Sequence, residues 1–219
     1  MKQLKSISAL SLISNLIRLL LVLSMFLSFI SENYFNMFLG TVTLFLTYLP
    51  FIIAKKNHII LPSIFQIIIL LFIFAANYLG ELNQFYDKFW WWDIMLHTLS
   101  GIIIGFIGFM LIYILNKEKK VNVNLSPGFM VLFAFCFAVS MGALWEIYEF
   151  SVDSLFGLHT QNGSLTDTMT DLIVDTLGAL LASFYGYMYE KYRKNNFFRR
   201  FIILFLRDNP DLPKDETNM

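Results

Sequence analysis

Six long apolar stretches dominate the chain, separated by short polar segments. They cover residues 9–30, 34–53, 59–78, 91–115, 128–155 and 168–189. A helix needs about 20 mostly apolar residues to cross a bilayer core, and each stretch reaches that length. The pattern predicts an all-α, polytopic membrane helix bundle with six transmembrane helices in residues 1–190. Lys2 and Lys5 precede the first stretch as they would in a signal peptide. No small-residue cleavage site follows, and Asn15 and Arg18 interrupt the apolar run, so a retained helix is expected. Arg18 is expected to snorkel toward the inner surface. Residues 191–219 form a second region: a basic amphipathic helix at 197–207 lying on the inner leaflet, then a short disordered cytoplasmic tail. No internal repeat relates the first three spans to the last three.

Charge sets the orientation. Lys2 and Lys5, then Lys55 and Lys56, then Lys117, Lys119 and Lys120, then Lys191, Arg193, Lys194, Arg199 and Arg200 all fall on one side of six spans. Lys88 is the single Lys or Arg in the segments on the other side, 31–33, 80–90 and 156–167. Basic residues favour the cytoplasmic side. Both termini are therefore expected to be cytoplasmic, in the plasma (inner) membrane of a bacterium. Trp90, Trp91 and Trp92 fit an aromatic belt at the outer interface.

Composition agrees with a membrane domain. Hydrophobic residues make up 57% of the 219, above the roughly 45–50% of soluble domains. Lys+Arg and Asp+Glu are both 16, so net charge points to no nucleic-acid partner. The single cysteine, Cys136, excludes an intrachain disulfide and reads as a small core residue.

Against this apolar background, ionisable residues gather at one level. Asp93 and His97 are four apart in the fourth span; Glu146, Glu149 and Asp153 follow an i, i+3, i+7 pattern in the fifth; Asp167, Asp171 and Asp175 follow i, i+4, i+8 in the sixth. Such spacings share one helix face. An ionisable group at the centre of a membrane helix costs about 2.5–3.5 kcal/mol on insertion scales, so such groups pair, meet water or bind ions. All three stripes fall in the outer half of the predicted topology. Gly101, Gly105, Gly142, Gly178 and Ala182 lie just below them, where small residues let helices approach closely.

Carboxylates beside one imidazole suit a divalent metal: zinc, manganese or iron with the histidine, magnesium or calcium with oxygen alone. The expected metal ligands are His97, Glu146, Asp171 and Asp175, with Glu149 and His97 in catalytic roles. Asp93, Asp153, Asp167 and His159 are additional candidates. Structural readings stand beside these. Asp93 and Asp167 sit near helix N-termini, and Ser164 has near capping-box spacing to Asp167. Asp153 lies at the interface, where solvation is easy. Asn77 and Glu81 are placed to act as a second shell.

Trp145-Glu146-x-x-Glu149, then His159-Thr160-Gln161-x-Gly163, then Asp167-Thr168-x-x-Asp171 resemble the YjdF-like bacterial inner-membrane protein family. That family has a Trp-Glu helix, a Gly-Thr-Gln-Gly loop and a Trp-Asp-Thr-Gln-x-Asp-Met element. The likeness runs over residues 92–181. His159 replaces the glycine before Thr160, Asn162 is inserted before Gly163, and Met169-Thr170 stands where Gln-x is expected. Asp175-Thr176-Leu177-Gly178 also resembles the Asn-Thr-Leu-Gly element of VanZ-like membrane proteins. Neither resemblance implies a reaction; they imply that these polar elements form one unit.

The leading functional expectation is a metal-dependent membrane hydrolase or transferase acting on a membrane lipid or lipid-linked envelope substrate. The alternatives are a proton or divalent-cation transporter and a structural or partner-binding membrane protein. Against transport, the spans read as unbroken. The topology has a direct test. A reporter active only in the cytoplasm should work when fused after residue 219, and one active only outside should work when inserted at 161. The reversed pattern contradicts the orientation.

Overall fold

The computed structural model describes residues 2–56, 58–117, 124–157, 160–161, 164–192, 197–210 and 212. All regular structure among them is helical. The elements are α1 (Lys2–Ile30), α2 (Tyr34–Leu46), α3 (Leu49–Lys56), α4 (Ser63–Ile73), a π-helical segment (Phe74–Leu82), α5 (Phe85–Lys88), α6 (Trp92–Lys117), α7 (Pro127–Phe156), α8 (Leu165–Tyr192) and α9 (Phe197–Asp208). Six helical stretches are long and apolar enough to cross a membrane, as the apolar runs predict: Ala9–Ile30, Tyr34–Lys56, Ser63–Leu82, Trp92–Lys117, Pro127–Phe156 and Leu165–Tyr192. The chain forms two compact units, Met1–Trp92 and Asp93–Met219.

In the first unit α1 packs on α2 and α4. Ile17, Leu21 and Leu70 are its buried core, flanked by Leu44, Phe74 and Tyr78. Two of its spans are not the unbroken helices expected. The second is interrupted between Leu46 and Leu49. Pro50 has no N–H to give the Leu46 carbonyl, and its ring crowds that oxygen. The Tyr48 amide bonds Phe45 O instead, at 3.0 Å. Arg18 crosses from α1 to this break rather than snorkelling. Its Nε donates to Thr47 Oγ1 and its Nη2 to Thr47 O, both at 3.3 Å, while the guanidinium lies 3.8 Å from the Tyr48 ring centroid. The third span passes into the π-helical segment, where Phe74 and Tyr78 stack at 4.7 Å. Asn77 donates to Ile73 O at 3.3 Å, within its own helix. Of the three tryptophans only Trp90 (82% exposed) and Trp91 suit an interfacial belt. Trp92 is buried, with Phe85 edge-on at 4.9 Å.

The second unit is built on α6, α7 and α8. Ser126 caps α7 by accepting from Phe129 N at 3.3 Å, with Pro127 at the first helical position. At the other end Gly157 adopts φ 66° and returns its N–H to Asp153 O at 2.9 Å, a left-handed stop that glycine permits without strain. Cys136 is exposed on α7, not in the core; the small buried positions of that face are Ala134, Ala138 and Gly142. Phe109, Tyr113, Met130, Ala134, Ala182, Tyr189 and Ile202 form the apolar core. Ile202 belongs to α9, whose Phe201 also packs edge-on against Phe106 at 5.3 Å. The apolar side of α9 thus faces the bundle, with Arg200 and Arg207 exposed. Of the expected tail, residues 211 and 213–219 lie outside the described residues.

Glycines fix how closely α6 and α8 cross. A Cβ on Gly101 would run into the Asp175 carbonyl, and one on Gly178 into the Thr98 carbonyl. Below that crossing, a Cβ on Gly105 would stand 2.8 Å from Ala182 Cβ. Overfilling a packed interior costs about 1–3 kcal/mol, and backbone carbonyls cannot rotate away. Gly101→Ala and Gly178→Ala should each lower the thermal unfolding midpoint in detergent. Gly128→Ala, with nothing within 4 Å of its added Cβ, should leave it unchanged.

Candidate metal centre

The crossing carries the polar site. On α8, Asp171 and Asp175 are one turn apart and each 3% exposed. On α6, Asp93 and His97 are one turn apart; His97 is buried and the Asp93 side chain is 28% exposed. Asp175 Oδ2 lies 3.1 Å from His97 Nδ1. Its other oxygen, Oδ1, meets the Ser100 hydroxyl, which also reaches the His97 carbonyl at 2.8 Å. Both Asp175 oxygens are therefore engaged within the protein. Gly142 on α7 makes the space: a Cβ there would stand 2.8 Å from Asp175 Oδ2.

With Nδ1 held by a carboxylate, the other imidazole nitrogen is directed away from Asp175. Nε2 lies 3.5 Å from Asp93 Oδ1. Asp93, His97 and Asp171 each offer a ligand atom, all within 4.8 Å of one another. One imidazole nitrogen and two carboxylate oxygens at that spacing suit a divalent transition metal. The Asp175–His97 hydrogen bond is the support that metal-bound histidines commonly have. No Lys or Arg pairs with Asp93, Glu146, Asp171 or Asp175 among the described residues.

Glu146 is 5% exposed, and neither of its carboxylate oxygens has a hydrogen-bond partner among the described residues. The Gln161 amide beside it donates instead to the Glu146 backbone carbonyl at 3.3 Å and to Thr168 Oγ1 at 3.0 Å. Glu149 is placed differently. It is half-buried and accepts from Trp145 Nε1 at 2.9 Å, one turn back on α7. That is the one hydrogen bond of its carboxylate among the described residues, and its backbone carbonyl accepts from Thr160 Oγ1 at 3.3 Å, so it stands at the edge of the group.

Asp153 organises the connection between α7 and α8. Its Oδ1 accepts from the Thr160 amide and hydroxyl, both at 2.7 Å, and its Oδ2 accepts from the Gln161 amide at 3.0 Å. The Thr-Gln pair is thus a latch: Asp153 holds its backbone, and the Gln161 side chain ties α7 to the first turn of α8. Asp167 donates its backbone N–H to Ser164 Oγ at 3.4 Å, in keeping with the cap reading. His159 lies outside the described residues. Ser100 has no place in the pattern of acidic stripes, whereas Gln161 and Thr168 stand in the motifs of the resemblance without an individual role. Ser100 was discoverable, since it lies three residues past His97 on the same helix face.

These features define a multi-pass membrane helix bundle with a buried histidine–carboxylate site. A family model described as a predicted membrane protein (DUF2238) matches residues 13–192, and the chain belongs to that family, which includes the YjdF-like proteins. An uncharacterized protein of Thermotoga maritima is 33% identical over 129 residues, 59% of this chain and 65% of that protein. The chain thus spans just under two thirds of that relative's length. No solved structure matches.

The latch makes a prediction. Removing one partner of a buried hydrogen bond costs about 1–3 kcal/mol. Asp153→Ala and Gln161→Ala should accelerate proteolytic cleavage between residues 157 and 164 and amide exchange in the first turn of α8. Unchanged rates contradict the latch.

Proposed function

We propose that Asp93, His97 and Asp171 hold a divalent metal at the outer side of a bacterial plasma membrane, with both termini cytoplasmic. The protein would be a metal-dependent hydrolase or transferase acting on a lipid or lipid-linked substrate. The observation that carries this reading is the clamp on His97: Asp175, itself bonded by Ser100, holds Nδ1 and leaves Nε2 toward Asp93, with Asp171 in the same group. Asp175, expected from sequence as a ligand, is assigned here to orienting the histidine. A metal in this position supplies a Lewis acid for a phosphoryl or carbonyl oxygen and acidifies water. The partly exposed Asp93 marks the open side. Glu149, at the rim beside the exposed Trp145 and Tyr148, is the general base of this reading and is reachable by a headgroup. The topology inferred from the basic residues puts that rim at headgroup level, which is the support for a lipid substrate.

Metal content tests the proposal. Purified wild type should retain zinc, manganese or iron, and His97→Ala and Asp171→Asn should lose it. Asp175→Asn should weaken affinity about 10–100-fold, the usual effect of losing a histidine's outer partner. Phospholipids or lipid-linked precursors incubated with wild type should be converted, and Glu149→Gln should bind metal without converting them. Wild type that holds no metal under any loading contradicts the proposal.

A further inference from the structure

The Asp93–His97–Asp171 group leaves one buried carboxylate unaccounted for. Glu146 is 5% exposed with both oxygens unbonded. Ionised, it is a charge without a hydrogen-bond donor inside an apolar bundle, which a low-dielectric interior disfavours strongly. Protonated, it needs an acceptor for its O–H, and no described residue offers one at hydrogen-bond distance. Nε2 of Gln161, the amide beside it, donates to the Glu146 backbone carbonyl and to Thr168 Oγ1.

The register of α7 against α8 shows where Glu146 is aimed. The two helices run antiparallel, joined by the Thr160-Gln161 latch. Gly142 on α7 abuts the Asp175 carboxylate on α8. One turn along each helix toward the connection places Glu146 opposite Asp171. Asp171 already groups with Asp93 and His97, and Glu146 is near enough to interact electrostatically with all three.

We propose that the centre is dinuclear. Glu146 ligates a second divalent cation, and Asp171 bridges it to the first. Carboxylates projecting inward from facing bundle helices are the known means of holding metal pairs. The proposal rests on the metal-centre reading above and adds to it the second ion, its ligand and the bridge.

Manganese serves as the probe. The full-length protein in detergent, freed of metal and loaded with Mn2+, should bind two ions per chain and show the exchange-coupled electron paramagnetic resonance signal of a Mn2+ pair. The isosteric Glu146→Gln should bind one and show the hyperfine pattern of isolated Mn2+. Wild type that saturates at one uncoupled ion overturns the second site while leaving the first reading intact. Glu146→Gln that retains two coupled ions overturns the role of Glu146. Wild type that binds no Mn2+, and no zinc or iron when loaded with them in turn, overturns both. The wild-type spectrum decides between one ion and two even if the variant fails to fold.

Discussion

A carboxylate held at the crossing of three helices is the constraint on which the second unit depends. Asp175 has backbone contact with α6 at Gly101, side-chain contact with α7 at Gly142, and hydrogen-bonding atoms of His97 and Ser100 on both oxygens. In lipid, no hydrophobic force draws helices together; close packing and hydrogen bonds do. The glycines and the aspartate therefore act jointly. Glycines without the carboxylate leave a gap at Gly142, and the carboxylate without glycines has no room. This joint fit also fixes the rotation of α6 about its axis, and with it the direction of Asp93 and His97.

The rest of the polar architecture follows from that crossing. Once Asp175 sets the register of α8 against α7, Asp171 and Glu146 both fall one turn nearer the connection. The Thr160-Gln161 latch then closes the hairpin, using Asp153 as acceptor for the backbone and Gln161 to tie both helices. Distance from the crossing separates the acids into kinds. Those within a turn of it are buried and have no Lys or Arg partner among the described residues. Asp153 and Asp167 lie farther out and serve the connection and the helix start. The apolar end of the same unit is sealed separately, by Phe201 and Ile202 of α9 against α6 and α8.

Much of this was legible in the chain because two periodicities speak plainly. Run length identified the six spans, and i, i+4 spacing put Asp93 with His97 and Asp171 with Asp175. The small residues below them marked the close crossing in advance. Periodicity says which residues share a face but not how far that face is turned. Glu149 shared a stripe with Glu146 on paper, yet an offset of three residues swings it to Trp145. Cys136 and Trp92 exchanged environments with expectation for the same reason: hydrophobicity alone does not separate lipid-facing from protein-facing positions. The interruption of the second span was written in Pro50, but the apolar run continued through it and masked the break. The π-helical segment at Phe74–Leu82 has no comparable residue signal. Asp153 was read for its solvation, whereas its role lies in acceptors offered to a turn that period-based reasoning does not reach.

The central claim is that bound cations neutralise the buried carboxylates and hold this crossing together. Ligands that bind only the folded state raise stability with their concentration. The most direct measurement is the thermal unfolding midpoint of the full-length protein in detergent, titrated with Mn2+ or Zn2+ and then with chelator. The account predicts a midpoint that climbs with metal and falls back on chelation, and a flat response in Asp171→Asn. A wild-type midpoint indifferent to both additions would contradict it.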